Sequence, residues 1–472
     1  MAATTRDQTL AAALAAHRAG DLAAAAAGYG ALLERHAGDL DALHLLGVLH
    51  HHAGRYDQAL DLADAFIAAA PHIADAHLDQ GNALAGLEHH QSAAEAFRLA
   101  LDLAPDLAAA AFNLGNALRG AQDADGAVAA YRRAVGLAPD LAPAWSNLGA
   151  TLAELGLPDD AADACRRALR AAPEYADAHY NLGNALREGG HAADAALAFE
   201  HAIELAPDHA DALCNLGLVR FADGPDTAAE TLSRAITVDH NHALARFYLG
   251  VALEEAGRQA DADAAFSALD PTDPTDGARL DSWEFVKATR TAETAMLADG
   301  FQLLAHAVDR APAEGLMLEF GVRHGTSIRH LAALVAGPLD GFDSFEGLPQ
   351  AWGDEPAGVY STGGRMPDVP ANVRLHAGLF EDTLGPFLDA NPGPVRLAHI
   401  DCDIHASTAV VLAGLASRLV AGSVLVFDDY LVNPTWREDE HRAFVEAAAE
   451  HGWSHDTIAY SIVGKQMAVR VR

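Results

Sequence analysis

Apolar residues, mainly Ala and Leu, recur at helical spacing through the first 270 residues, and the pattern returns every 34 residues. A glycine inside one helix and a proline after the other mark each unit. The glycines are Gly47, Gly81, Gly115, Gly149, Gly183 and Gly217, and the prolines are Pro71, Pro105, Pro139, Pro173 and Pro207. Such a short unit cannot bury its apolar face alone, so neighbouring units must stack. The pattern predicts an α-solenoid.

This period and its markers resemble the tetratricopeptide repeat (TPR) family over about residues 7–270, with some eight helix pairs. The first pair lacks the glycine and proline markers and resembles a capping unit. The resemblance implies a superhelix over residues 1–270, with a groove that binds a protein or peptide.

Four asparagines lie 34 residues apart, each two positions before a marker glycine: Asn113, Asn147, Asn181 and Asn215. This series, here called the asparagine ladder, can hydrogen-bond the backbone of an extended peptide, because an amide carries both a donor and an acceptor. It resembles the ladder in the TPR region of protein O-GlcNAc transferases. The alternative is that each asparagine ties one helix to the next. The series ends at Asp79 and Tyr248.

A stretch rich in Pro and Asp interrupts the helical pattern, and we predict a linker at 271–280. A helical segment over 280–309 and then alternating strands and helices predict an α/β domain over 281–472, a Rossmann-like, mostly parallel seven-stranded sheet. An antiparallel hairpin is expected at its edge. The predicted strands are 316–321, 339–344, 373–376, 395–400, 423–427, 457–463 and 466–471.

The end of the first predicted strand carries Glu319 and Gly321, and its turn continues to Gly325 and Ser327. Glycine lets the backbone turn sharply and approach a ligand, and the free amides at the next helix start can bind a carboxylate. Many strand-to-helix turns need glycine for structural reasons alone, so the motif is weak by itself.

The second predicted strand ends at Asp343, about 20 positions beyond the glycine turn, where an acidic side chain suits ribose hydroxyls. The alternative is a turn residue. The loop that follows runs through Trp352 and Tyr360 to Pro370 without a periodic pattern, and we predict that it forms a lid.

Acidic residues follow two further strands, Asp401 after the fourth and Asp428 and Asp429 after the fifth. Neighbouring parallel strands bring these carboxylates together, where they repel one another unless a cation binds or one is protonated. A hard divalent ion with oxygen ligands, Mg²⁺ before Ca²⁺, is the expected ligand. The alternative, a helix cap with solvated neighbours, is the interpretation we favour for Asp403.

Four segments together resemble the macrocin O-methyltransferase family of class I S-adenosylmethionine (SAM) dependent enzymes over about residues 281–472. They are Glu319-Phe-Gly-Val, Asp343-Ser-Phe-Glu-Gly-Leu-Pro, His399-Ile-Asp-Cys-Asp and Phe427-Asp-Asp-Tyr. The resemblance implies methylation of sugar hydroxyls with Mg²⁺, at a metal site similar to that of catechol O-methyltransferase.

The resemblance also implies roles for individual residues. Glu319 and Gly321 would form the floor of the SAM methionine site, Asp343 would hold the ribose, and Asp401 would accept the proton. His405 stands where the family usually has Tyr, and it is a base, a substrate contact or a neutral filler. The adenine would be bordered by the turn containing Gly378, Phe380 and Glu381, and the metal held by Asp401, Asp428 and Asp429.

Composition narrows the partners. A net charge of −35 argues against nucleic acid and anionic membranes and favours cations, including SAM and a divalent metal. No apolar run approaches the ~20 residues needed to span a bilayer, and the first seven residues contain a charge pair, so a cytoplasmic location is expected. The three cysteines, Cys165, Cys214 and Cys402, are too far apart for a disulfide framework, and we expect each in the core.

Three functions fit these patterns. The first is a Mg²⁺-dependent O-methyltransferase acting on a sugar or glycoconjugate, with the TPR array recruiting a protein partner or substrate. The second is a TPR scaffold whose α/β domain binds SAM without turnover, which the crowded carboxylates argue against. The third is a protein methyltransferase that binds its peptide in the TPR groove; the asparagine ladder favours it, whereas the metal-type site does not.

Overall fold

The computed structural model describes residues 5–352 and 355–472. It divides into two compact units, one ending at Ala185 and the other beginning at Leu186. The first unit consists of helices, and the second combines further helices with a mixed β-sheet.

Paired helices make up the first unit. They are α1 (Thr5–Arg18), α2 (Leu22–Arg35), α3 (Leu40–His52), α4 (Tyr56–Ala69), α5 (Ala74–Gly86), α6 (His90–Leu103), α7 (Ala108–Gly120), α8 (Ala124–Leu137), α9 (Ala142–Glu154), α10 (Pro158–Ala171) and α11 (Ala176–Glu188), which extends past the unit's end. Helices α3, α5, α7 and α9 begin 34 residues apart, so the predicted period is confirmed. The marker glycine allows close packing within a pair, because a Cβ on Gly115 would lie 2.5 Å from the Tyr131 ring.

The second unit continues the repeat. Its helices are α12 (Ala192–Leu205), α13 (Ala210–Val219), α14 (Pro225–Val238), α15 (Ala243–Glu255) and α16 (Gln259–Phe266), with a 3₁₀ turn at Arg220–Asp223. Within the described residues the helices form eight pairs, as predicted. The next helix, α17 (Pro274–Thr289), begins inside the predicted linker because the Asp273 side chain accepts hydrogen bonds from its first amides. The boundaries at 270 and 280 therefore stay predictions.

The predicted continuous helical segment over 280–309 is wrong. Helix α17 ends at Thr289, and the short strand β1 (Ala295–Leu297) separates it from α18 (Gly300–Arg310). Asp299 caps α18 by accepting a hydrogen bond from the Gln302 amide, which fixes a new helix start.

An eight-stranded sheet forms the centre of the α/β domain. Its other strands are β2 (Leu316–Phe320), β3 (Leu339–Asp343), β4 (Val373–Ala377), β5 (Val395–Ile400), β6 (Val424–Phe427), β7 (His455–Ser461) and β8 (Met467–Val471). The strand order is β1-β7-β8-β6-β5-β2-β3-β4, and β8 is antiparallel to both β6 and β7, while the other pairs are parallel.

The predicted hairpin is present, but the predicted count of seven strands and the edge position of the hairpin are wrong. Strand β1 pairs with β7 in parallel and covers that edge. Its three half-buried residues are too few to show a period of two in the sequence.

Helices pack on the sheet and bury its central strands. They are α18 together with α19 (Thr326–Leu334), α20 (Phe380–Ala390), α21 (His405–Leu415) and α22 (Glu440–His451). Strand β2 lies between β3 and β5, so the strand order reverses there, where open α/β sheets bind their ligands. All three cysteines are buried and unpaired, as predicted.

Candidate functional site

A cavity of about 530 Å³ lies at the carboxyl ends of the central parallel strands. This volume is within the usual range of small-molecule sites, about 300–1,000 Å³. Among the described residues, its lining does not include Glu319, Gly325, Ser327 or His405. The predicted site residues that do line it are Gly321, Asp343, Gly378, Phe380, Glu381, Asp401, Asp428 and Asp429.

The turn after β2 is shaped by two glycines. Gly321 has φ of 91°, and a Cβ there would overlap the carbonyl oxygen of Asp401, so the chain passes close to the end of β5. Gly325, with φ of 79°, caps α19. Behind this turn the Ser327 hydroxyl donates to Glu319 at 2.9 Å. Glu319 and Ser327 therefore support the turn from below.

Asp343 joins two turns at the cavity wall. Its carboxylate accepts hydrogen bonds from the Arg323 amide at 2.7 Å and from the Phe345 amide at 2.6 Å. Each oxygen keeps a second lone pair for a ligand hydroxyl. The amide of Gly378 donates to the Asp343 carbonyl at 2.9 Å, which places the Gly378 turn beside the same wall.

Three acidic side chains converge on the other side of the cavity. One oxygen from each of Asp401, Asp403 and Asp429 lies within 4.8 Å of the others. We call these residues the acidic cluster. It differs from the predicted set, because Asp403 belongs to it and Asp428 does not. The sequence could not reveal this difference, since it depends on the left-handed backbone of Asp403, with φ of 58°.

Crowding and burial change the ionisation of the acidic cluster. Burial raises the pKa of Asp401 well above its usual value, and the charges of Asp428 and Asp403 raise it further. Burial and the neighbouring Asp429 raise the pKa of Asp403 to about 8. Because repulsion disfavours three adjacent negative charges, a bound cation would stabilise the fully ionised cluster.

Asp428 is held by a buried histidine that our sequence reasoning missed. His399, on β5, lies between Asp428 and Glu319, with ring nitrogens 3.3 Å from an oxygen of each. Burial disfavours its imidazolium form, but these two carboxylates outweigh burial and raise the pKa of His399 well above its usual value. Burial alone would raise the pKa of Asp428, yet the bonds from His399 and Gln466 lower it. A lone polar residue in the apolar run of β5 is the signal that could have revealed it.

Glu440 is the second residue that the sequence reasoning missed. From the start of α22 its fully buried carboxylate accepts hydrogen bonds from the Cys402 amide at 3.1 Å and from the Asp429 amide at 3.0 Å. Burial raises the pKa of Glu440 well above its usual value, and Asp429 adds to the effect. Glu440 thus joins the backbone after β5 to the backbone after β6.

The turn between β7 and β8 (residues 462–466, here the hairpin turn) completes the site. Lys465 donates to Asp429 at 2.7 Å, and the Gln466 side-chain amide donates to Asp428 at 3.0 Å. Burial would lower the pKa of Lys465, but the charge of Asp429 outweighs burial and raises it. The hairpin turn therefore holds both carboxylates at the end of β6.

The loop predicted to be a lid borders the cavity through Trp352 and Tyr360. The indole of Trp352 donates to Asp439 at 3.0 Å, and the Arg323 guanidinium lies 4.8 Å from the centre of the Tyr360 ring. Arg323 and Tyr360 both have positive φ, and such backbone conformations often occur at functional sites. Gly353 and Asp354 of this loop lie outside the described residues.

His405 and the asparagine ladder lie away from the cavity lining. His405 begins α21 and lies 2.8 Å from a Glu446 oxygen, with both side chains partly exposed. In the first unit, the side-chain amides of the ladder residues donate to the preceding repeat: Asn113 to Asn82, Asn147 to Asn116, and Asn181 to Ser146. Those contacts tie neighbouring helices, while peptide binding stays a prediction.

The helical repeats match a known family. Segments 10–74, 78–142, 112–176, 147–210, 180–229 and 220–277 match the tetratricopeptide repeat, and together they cover more than half of the 472 residues. The chain belongs to the tetratricopeptide repeat family. Residues 318–430 match a methyltransferase domain, so this TPR protein carries a methyltransferase domain on the sheet that forms the cavity.

Several solved structures are similar to parts of this TPR protein. "YrrB: a TPR protein with an unusual peptide-binding site" is 24% identical, with 39% of this chain and 95% of that chain covered and a TM-score of 0.34. MamA is 22% identical, with 37% and 98% covered and a TM-score of 0.33. The APC/C hetero-tetramer Cut9-Hcn1 is 18% identical, with 59% and 55% covered and a TM-score of 0.43.

No curated protein matches the chain. In the part of the chain that the structure describes, every helix is too short or too polar to cross a lipid bilayer.

Proposed function

We propose that the methyltransferase domain transfers a methyl group from SAM to a hydroxyl group, with a divalent cation such as Mg²⁺ at the acidic cluster. We further propose that the acceptor is a sugar of a glycan, glycoconjugate or glycosylated metabolite. The TPR array would recruit a protein partner or the substrate itself. One observation carries the proposal: a single cavity has the glycine turn and Asp343 on one side and the acidic cluster on the other.

The cavity has the features that SAM requires. At Gly321 the backbone lies where any side chain would overlap the Asp401 carbonyl, which leaves a cradle of bare backbone for the methionine part of SAM. Asp343 is fixed by two amides and offers its remaining lone pairs to the ribose hydroxyls. Phe380 and Glu381, at the start of α20, would border the adenine.

The acidic cluster has the donor chemistry of a magnesium site. Octahedral Mg²⁺ with ligands at about 2.1 Å separates neighbouring oxygens by about 3 Å and opposite ones by about 4.2 Å. The oxygens of Asp401, Asp403 and Asp429, within 4.8 Å of one another, suit this spacing. When bound, the ion would lower the pKa of an acceptor hydroxyl and orient it.

The protein's own groups supply position and a base. Glu440 and Lys465 hold Asp429, and His399 and Gln466 hold Asp428, so the carboxylates of β6 are fixed before a ligand arrives. Asp401 lies in the cavity wall, and its raised pKa makes it a stronger proton acceptor than an exposed aspartate.

The asparagine ladder supports the proposed recruiting role. In Asn113 and Asn147 one amide hydrogen is used within the protein, which leaves the side-chain oxygen available as an acceptor for a peptide amide. We propose that the ladder, Asn113, Asn147, Asn181 and Asn215, binds an extended segment of the partner. Replacing all four with Ala would then abolish partner binding, and binding that survives would contradict the ladder's role.

A labelling experiment tests the proposed function. Purified protein is incubated with methyl-labelled SAM, Mg²⁺ and cell lysate, and the label is followed into glycan, protein and small-molecule fractions. We expect label in a glycan or glycosylated fraction, with loss of transfer in Asp401→Asn and in excess chelator. Label on protein amines would favour a protein methyltransferase, and full transfer in chelator would remove the metal.

A further inference from the structure

The last TPR repeat contacts the hairpin turn of the methyltransferase domain. The Tyr248 hydroxyl, on α15, donates to the Val463 carbonyl at 3.1 Å, and both residues belong to the second compact unit. Tyr248 is only 4% exposed, and its ring packs edge-on against Phe247 and Phe221. Because a buried hydroxyl needs a partner, this bond fixes the hairpin turn against α15.

The hairpin turn passes this constraint to the carboxylates of β6. Lys465 and Gln466, two and three residues after Val463, donate to Asp429 and Asp428. The Lys465 carbonyl also accepts a hydrogen bond from the Leu431 amide at 3.0 Å. A displaced turn would therefore displace both carboxylates and the backbone that follows them.

Helix α17 provides a second connection. The Ser282 hydroxyl accepts a hydrogen bond from the Val432 amide at 2.8 Å, and Val432 has φ of 74°, a conformation that β-branched residues rarely adopt. On its other side α17 contacts α15, where the Trp283 indole donates to Glu254 at 2.8 Å. The last repeat thus supports both sides of the segment that carries Asp428 and Asp429.

We propose that Tyr248 is a positioning residue for the methyltransferase site. It lies 33 residues after Asn215, at the ladder position of the last repeat. There the repeat carries a tyrosine that fastens the hairpin turn instead of an asparagine that could face a partner. This inference rests on the proposed function, since it assigns the end of the TPR array to the acidic cluster.

The test compares two substitutions that each remove one buried hydroxyl. Tyr248→Phe deletes the bond to Val463. The matched control, Tyr460→Phe, deletes the bond between Tyr460 and the Thr289 hydroxyl at 2.7 Å, which joins α17 to β7 without involving the hairpin turn. Both full-length variants are compared with the wild type by Mn²⁺ titration, thermal unfolding and hydrogen–deuterium exchange over residues 428–432 and 462–466.

For Tyr248→Phe we expect Mn²⁺ affinity to fall about three- to ten-fold, the effect of losing one buried hydrogen bond. Exchange should also become faster in both segments, while Tyr460→Phe lowers the unfolding temperature similarly without either change. Equal Mn²⁺ affinity and equal exchange in the two variants would overturn the proposal. Should the wild type bind no Mn²⁺, the metal of the proposed function fails, and exchange alone decides whether Tyr248 holds the hairpin turn.

Discussion

Glu440 is a buried joint between the ends of β5 and β6, and Glu440→Gln measures its worth. Glutamine keeps one acceptor oxygen but turns an NH₂ group toward the other backbone amide, either that of Cys402 or that of Asp429. Leaving one buried donor without a partner costs about 1–3 kcal/mol. For a domain of about 190 residues this lowers the unfolding temperature by roughly 2–12 °C.

Thermal unfolding followed by circular dichroism measures this change, and a Mn²⁺ titration shows whether the acidic cluster loosens with it. Glu438→Gln is the matched control, because Glu438 lies two residues earlier and is exposed. We expect the control to stay within about 0.5 kcal/mol of the wild type. If Glu440→Gln unfolds within 1 °C of the wild type and keeps its Mn²⁺ affinity (about 1 °C being less than 0.5 kcal/mol here), the joint has no such role.

Three further predictions follow from the same contacts. Gly321→Ala should abolish SAM binding in a calorimetric titration, because the new Cβ overlaps the end of β5, whereas Gly337→Ala, with open space around it, should bind normally. Burial lowers the pKa of His441 from 6.5 to about 4, so the unfolded chain takes up a proton that the folded domain does not. Stability should therefore be complete above pH 6.5 and fall as the pH drops toward 4, and His441→Gln should flatten that slope in thermal unfolding. Trp352→Phe removes the bond to Asp439 and should speed SAM dissociation about three- to ten-fold in stopped-flow measurements, and an unchanged rate would exclude the lid role.

The parts of the fold that depend on local pattern could be predicted from the sequence. The 34-residue spacing fixed the start of each first helix, because the marker glycine permits the close approach of an aromatic ring such as Tyr131. Long apolar runs likewise placed the central strands within one or two residues. Strand β1 escaped because three residues cannot show a period, and α18 begins separately because of the Asp299 cap.

The site was predictable only where a residue ends a strand. Gly321, Asp343, Asp401 and Asp429 follow buried strands, and all four line the cavity. Other members depend on contacts between distant segments: Glu440 reaches back 38 residues to Cys402. The place of Asp403 depends on one backbone angle that no pattern of residue types specifies.

Calorimetric titration of SAM into the wild type and Asp343→Asn tests the central claim most directly, because that claim places SAM in the cavity. We predict that each wild-type chain binds one SAM with a Kd between about 1 μM and 1 mM. Asp343→Asn should bind at least about ten-fold more weakly, since it loses the carboxylate that holds the ribose and the turn after β2. No heat of binding in the wild type, or equal affinity in the variant, would contradict the account.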